Sequence, residues 1–307
     1  MLHIEGIEKK YGQVKALQGI SFDVKPGEIF GLIGSDGAGK TTLFRILTTL
    51  LVPDKGIATV GGLDVVKDYK QIRKGIGYMP GRFSLYQDLT VDENIDFFAS
   101  VFGVKVADNM DLIEEIYKML RPFGKRRAGH LSGGMKQKLA LCCALIHAPK
   151  MLFLDEPTTG VDPTSRAEFW AMIRTLADKG ITILASTPYM DEAERCDRIG
   201  LIQNGKLIQT GTVPELLQSY DTPLWAVSGK NKYLLLKALR AFKSIDQCYP
   251  FGEAVHVNFL PEVVHDKTIS VEEALRKHLL IWGIEEIKIK SKKPEVEDCY
   301  LRLTRND

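Results

Sequence analysis

The sequence predicts an α/β fold: a mainly parallel sheet with helices on its faces, a helical segment inserted within it, and a small α+β domain behind it. Three features carry that expectation. Short apolar runs alternate with amphipathic stretches, the strand signal vanishes between about residue 88 and residue 147, and the pattern changes again after SYDTP at 219–223. ISFDV, EIFGLIG, KMLFLDE, ITILAST and RIGLIQ are the apolar runs, short and rich in β-branched residues as buried strands are. TTLFRILTTLL and SRAEFWAMIRTLADKG lie between them and repeat apolar residues at helical spacing. That alternation argues a mainly parallel sheet.

VDENIDFFASVF, NMDLIEEIYKMLRPF and GMKQKLALCCALI all carry helical periodicity and predict a helical subdomain over about 88–147. Beyond residue 220, TPLWAVSG reads as strand, KYLLLKALRAF as helix, IDQCYP and AVHVNF as strands around the turn FGE, SVEEALRKHLLIWG as helix and EEIKIKS as strand. The order β-α-β-β-α-β predicts a ferredoxin-like split βαβ unit. The expected domains are therefore 1–220 and 221–307, with no internal repeat or low-complexity tract.

Composition narrows the function classes. Apolar content of 45% and charged content of 26% suit a globular protein and exclude collagen-like and disordered classes. A net charge of +2 is too small to imply nucleic acid, and none is expected as a partner. The one dense basic run, KIKSKK at 288–293, is read as a solvated strand edge protected by lysines. No apolar run approaches the roughly 20 residues that span a bilayer, and MLHIEGIEKK lacks a signal-peptide core, so the chain is expected in the cytoplasm. Five cysteines without a C-x-x-C pair, with Cys142 and Cys143 adjacent, suit reduced thiols used as small apolar residues.

The chemistry concentrates in three segments. EIFGLIGSDGAGKTTLFRIL places Gly34, Gly39, Lys40 and Thr41 in the G-x-x-x-x-G-K-[ST] spacing, after a strand and before a helix. Glycines let the N–H groups of the Gly34, Ser35, Asp36, Gly37, Ala38, Gly39 loop turn inward around phosphates, and the helix start adds its positive dipole end. Lys40 supplies a point charge to the outer phosphates, Thr41 a hydroxyl for Mg²⁺, and Thr42 continues the loop into the helix. Asp36 is an odd neighbour for phosphate. In KMLFLDEP, Asp155 and Glu156 end an apolar strand. They could be an exposed turn; beside a phosphate loop, Asp155 can hold Mg²⁺ through water and Glu156 can orient or deprotonate an attacking water. LSGGMKQ opens the helix MKQKLALCCALI. Ser132 is a helix cap on its own, and with the N–H groups of Gly133 and Gly134 it could be a second anion site.

These segments, in this order, resemble the ATP-binding subunit of ATP-binding cassette (ABC) transporters. GSDGAGKTT is similar to the family's Walker A loop, LSGGMKQ to its signature, MLFLDEP to Walker B, and GVDP at 160–163 to the D-loop. The resemblance covers residues 1 to about 220 and implies a P-loop NTPase cassette that binds ATP with Mg²⁺, Thr41 and Asp155 at the metal and Glu156 at the reacting water. Tyr11 falls where the family stacks an aromatic ring on adenine, with a packing tyrosine as the alternative. The tail resembles the accessory domain that follows the cassette in some ABC-2 type exporters. Family geometry implies two cassettes facing head to tail, each signature completing the other's Walker A site. The implied partners are thus a second cassette, identical or paralogous, and a transmembrane permease on whose cytoplasmic face the chain docks.

Two positions depart from the family. In STPYMDEAE, Pro188 stands where the family has a histidine that contacts the terminal phosphate, and in IGYMPGRF, Gly81 stands where it has a glutamine. Gln87 comes six residues later, and LYQDLT matches the family's downstream pattern, so Gln87 is not expected to substitute. Intact binding with impaired hydrolysis is the expectation. The competing readings are a non-hydrolytic ATP-sensing subunit and a soluble cassette protein of translation or repair. Translation types commonly carry two cassettes and repair types a long coiled-coil insertion, neither seen here. No N-K-x-D motif supports a GTPase.

Overall fold

The computed structural model describes residues 1–260 and 271–305 and divides the chain into two compact units, 1–213 with the terminal residues from 303, and 214–302. Ser270, the first residue of the expected helix SVEEALRKHLLIWG, lies outside the described residues.

The first unit begins with β1 (Leu2–Tyr11) and β2 (Val14–Val24), then β3 (Ile29–Ile33), α1 (Lys40–Leu47), β4 (Lys55–Val60), β5 (Leu63–Asp64), α2 (Tyr69–Gly75) and β6 (Ile76–Met79). Helices α3 (Val91–Phe102), α4 (Met110–Leu120) and α5 (Gly133–Leu145) follow without an intervening strand, before β7 (Met151–Asp155), α6 (Pro163–Asp178), β8 (Thr182–Thr187), β9 (Arg198–Gln203) and β10 (Lys206–Gly211). The main sheet has the order β10-β9-β3-β8-β7-β6, parallel throughout except for the antiparallel edge strand β10. β3, β7 and β8 are wholly buried, which is why they read as unbroken apolar runs.

One strand expectation needs correction. ISFDV, grouped from sequence with the parallel strands, is the end of β2 and belongs to a second, antiparallel sheet of order β2-β1-β4-β5. Its alternating burial is that of a strand with one face on the core. The two sheets share a core with α1, in which Phe22 stacks on Phe30 at 4.8 Å and Phe44 meets Phe153 edge-on at 6.2 Å. Burying a side chain of that size contributes about 1.5–3 kcal/mol relative to exposure. The register brings strand ends level: Ile33 pairs with Thr187, and Asp155 with Ser186. The segments leaving β3, β7 and β8 therefore emerge side by side at the C-terminal edge, where open α/β sheets bind ligands.

α3 starts in a capping box between Thr90 and Glu93 and stops at Gly103, φ 69. Buried Asn94 bonds the carbonyls of Tyr86, Leu89 and Thr90 and the Tyr86 N–H, fixing the approach to α3.

In the second unit, α7 (Val213–Gln218) leads to β11 (Leu224–Gly229), α8 (Lys232–Arg240), β12 (Ile245–Phe251), β13 (Ala254–Phe259), α9 (Val271–Ile281), β14 (Ile287–Lys292) and α10 (Val296–Leu303). The sheet order is β12-β13-β11-β14, all pairs antiparallel. Three of the four lysines of KIKSKK, Lys288, Lys290 and Lys292, lie exposed on the edge strand β14, whose Ile289 is buried. α10 has no counterpart in the sequence reading. It is short, and its buried Val296, Cys299 and Tyr300 supply less than two turns of periodicity. It is tied to the sheet by Asp298, whose Oδ1 lies 2.6 Å from His256 Nδ1 and accepts from Tyr249 Oη at 2.7 Å. No described helix is long and apolar enough to cross a membrane.

Candidate functional site

The loop after β3 is shaped by positions where no side chain fits. A Cβ on Gly34 would stand 2.1 Å from the Ile202 carbonyl, and one on Gly39 would stand 2.5 Å from that of Ala16. Gly37 and Gly39 take φ of 80° and 107°, a region that favours glycine. The floor beneath comes from the turn between β9 and β10: Gly205 N–H donates to Ala38 O at 2.9 Å, and Gln18 bonds Gly205 O and Asn204 O. Gly39 caps α1 without a side-chain hydrogen bond, so the first helical turn from Lys40 offers its N–H groups and positive dipole end to the loop. A groove of ≈ 510 Å³ opens here, lined among others by Tyr11, Gly37, Gly39, Lys40, Thr41, Thr42 and Glu156. Ser35 and Asp36 are exposed at the loop's crest, and Tyr11 is 47% exposed.

Lys40 is only 3% exposed. Its Nζ donates to Gly34 O at 2.8 Å and Ser35 O at 2.9 Å and lies 3.0 Å from Glu156 Oε1. Glu156 occupies a left-handed conformation, φ 51, and its N–H is directed at both Ser186 O (3.1 Å) and Ser186 Oγ (3.0 Å). Ser186 Oγ donates in turn to Asp155 Oδ1 at 2.7 Å. Burial pushes the Asp155 carboxyl above the ordinary carboxylate value, opposed by hydrogen bonds from Ser186 and Thr41. A buried carboxylate beside a hydroxyl is a hard-oxygen set suited to Mg²⁺. No group of three or more acidic, His or Cys side chains that could hold a metal ion occurs among the described residues, so the remaining ligands would have to come from water and phosphate, the usual Mg²⁺ arrangement. The residues present thus fit both groups.

Other expected residues do not line this groove, although Gly81 and Gly133 share a second pocket with Glu156. Ser132 caps α5 by accepting from Met135 N–H at 3.4 Å, and Ser132, Gly133 and Gly134 line no part of the groove that holds Lys40. Gly134 instead sits against Ser165, where a Cβ would come within 2.8 Å of Oγ. Gly81 faces the backbone of Asp155; its absent Cβ would be 3.0 Å from Asp155 O. Pro188 follows the buried Thr187 directly. Gln87 is exposed, its carbonyl accepting from Gly129 N–H at 2.9 Å, and it does not line the groove. Sequence reasoning missed Ser186, which holds both carboxylate residues. The polar pair Ser186-Thr187 closing the apolar run ITILAST was the available signal.

Fold and groove together define a phosphate-loop nucleoside triphosphatase cassette. Comparison with known proteins sharpens this. The ABC transporter family profile matches residues 17–159. The chain is 46% identical over 222 residues to the probable multidrug ABC transporter ATP-binding protein YbhF of Escherichia coli (strain K12), covering 70% of this chain but only 38% of that relative's length. It is 34% identical over 307 residues to the Nod factor export ATP-binding protein I of Rhizobium sp. (strain N33), covering 99% of this chain and 96% of that one. Among solved structures, an ATP-binding subunit of an ABC transporter matches with a TM-score of 0.66 at 28% identity, over 72% of this chain and 93% of that chain. The chain belongs to the ABC transporter family, as an ATP-binding subunit.

Proposed function

We propose that the chain binds Mg-ATP in the groove after β3 and, by closing with a second cassette, drives export through a separate permease on the cytoplasmic face of the membrane. The observation that carries this reading is the buried Lys40 Nζ between the loop carbonyls and Glu156, in a groove to which the chain's own signature segment contributes nothing. Ser132, Gly133 and Gly134 of a second copy or a paralogue would close that site. Export is supported by the similarity over nearly the whole chain to a protein named for Nod factor export.

Each residue then has a definite task. The Gly34–Thr42 loop and the start of α1 bind the phosphates through N–H groups, and Lys40 exchanges its carbonyl and Glu156 contacts for the outer phosphates. Thr41 and Asp155 would hold Mg²⁺. When bound, that ion neutralises charge developing on the transferred phosphoryl group. Tyr11, exposed at the groove, would stack on the base, and Glu156 orients the attacking water and takes its proton.

Turnover is expected to be slow in the chain's own site. Neither Gly81 nor Pro188 carries a polar side chain, and losing one preorganised contact to transition-state charge costs about 2.7–4 kcal/mol, or about 10²–10³ in rate. Binding relies on the loop and Lys40 and suffers less. A second reading, a non-hydrolytic subunit paired with a competent paralogue, draws on the same two positions. Single-turnover hydrolysis by purified protein in excess over ATP tests both. The expected result is a slow rate abolished by Glu156→Gln. A rate typical of the family would reject impairment, and no Glu156-dependent rate would favour the second reading.

A further inference from the structure

The turn that carries Glu156 is held in an uncommon shape. A non-glycine residue at φ 51 persists only where its surroundings over-determine it. On the groove side the restraints are Lys40 Nζ and Ser186. On the far side they converge on one carboxylate. Glu192 is 3% exposed; its Oε1 accepts from Thr158 Oγ1 at 2.8 Å and Arg166 Nε at 3.1 Å, and its Oε2 accepts from Thr187 Oγ1 at 2.5 Å. Thr187 Oγ1 also accepts from Tyr189 N–H at 3.0 Å, and the Arg166 guanidinium lies 4.2 Å over the Tyr189 ring while reaching Asp191 at 3.1 Å.

The three donors come from three working segments. Thr158 is two residues past Glu156, Thr187 ends β8, and Arg166 is in the first turn of α6, its N–H bonded to Asp162 O at 2.9 Å. Between Thr187 and Tyr189 stands Pro188, which has no N–H to anchor the segment, so anchoring passes to the residues on either side. We infer that Glu192 is a positioning residue: it fixes from behind the turn that aims Glu156 into the groove, and through Arg166 it ties that aim to the Gly160–Pro163 segment. The inference rests on the reading of Glu156 as the group acting on water.

A carboxylate is suited to this place because it only accepts, offers about four lone-pair sites to converging donors, and offsets the guanidinium charge. Glutamine would turn one accepting face into a donor aimed at a hydroxyl and leave Arg166 with the exposed Asp191 as its remaining carboxylate partner. Thr158→Val removes a single donor at nearly unchanged shape.

The test combines Glu192→Gln, Thr158→Val and the double variant, each measured by single-turnover hydrolysis, Mg-ATP titration and crystallography. Each single substitution should slow hydrolysis about tenfold or more, leave Mg-ATP affinity within about twofold, and move Glu156 out of the left-handed region away from Lys40. The double variant should be no slower than the slower single one. An unchanged rate, losses that multiply, or Glu156 unmoved at its contact with Lys40 would overturn the inference. If Glu192→Gln does not fold, Thr158→Val decides by the same readouts. If the parent protein shows no turnover, the role of Glu156 fails, and the crystal structures alone decide whether Glu192 anchors the turn.

Discussion

β3 and β8 run parallel and in register, Ile33 beside Thr187, so the segments after them leave the sheet at one level. After β3 the chain keeps a glycine at each crowded or left-handed position and a buried lysine behind them. After β8 it has proline, held through Thr187, Tyr189 and the Glu192 carboxylate. The contrast is one of means. In the proposed function the first segment would bind through backbone groups that its shape forces into place, whereas the second would act through one side chain. A single replacement can remove the side chain's action and leave the shape-dependent function beside it intact.

Restoring the missing side chain should have the largest effect on that contrast. Pro188→His is expected to speed single-turnover hydrolysis by up to about 10²–10³ while moving Mg-ATP affinity little. Gly81→Gln should gain less, because its Cβ must push against Asp155 O, 3.0 Å away. Rapid-quench kinetics on both variants would check the order, and a larger gain from position 81 would reverse it.

The opposite change attacks the segment after β3. Lys40→Ala deletes a buried cation that makes two carbonyl hydrogen bonds and meets one carboxylate. At about 1.5–3 kcal/mol for hydrogen bonds to charged groups, Mg-ATP should bind about 10- to 100-fold more weakly by titration calorimetry. Affinity that survives unchanged would mean the N–H groups suffice without it.

The smallest effect comes from a control remote from the loop. His147 stacks on Phe102 at 3.7 Å with Nε2 2.9 Å from Ile76 O, and its Nδ1 is buried without a partner. Burial holds its pKa below the ordinary 6.5. The native state therefore binds a proton less readily than the unfolded chain, and stability is full above about pH 6.5 and falls as pH drops toward the lowered native value. Melting midpoints at pH 7.5 and 5.5 should diverge in the parent protein and diverge less in His147→Phe, with Mg-ATP affinity at pH 7.5 the same in both.

The parallel strands and the phosphate loop were legible because each is written in a contiguous stretch: an apolar run, or glycines at fixed intervals before a helix. The antiparallel sheet was not. In LHIEGIEKKY the alternation of β1 is broken by register shifts around Gly6, and its partner β4 lies some fifty residues on. The groove was legible in Lys40, Thr41 and Glu156, but Ser186 and Glu192 were hidden for a different reason. Their partners Asp155, Thr158 and Arg166 are 26 to 34 residues away along the chain, and only folding brings a threonine, an arginine and a glutamate to one point.

The turn at Asn204-Gly205, whose Gly205 N–H props Ala38 O, also sets a timetable. Ribosomes add about 5–20 residues each second, so roughly ten seconds or more separate the emergence of the glycine-rich stretch from that of its prop. A nascent polypeptide stalled short of residue 205 would already contain every amino acid of the loop and still lack the Gly205 N–H that holds Ala38 from beneath.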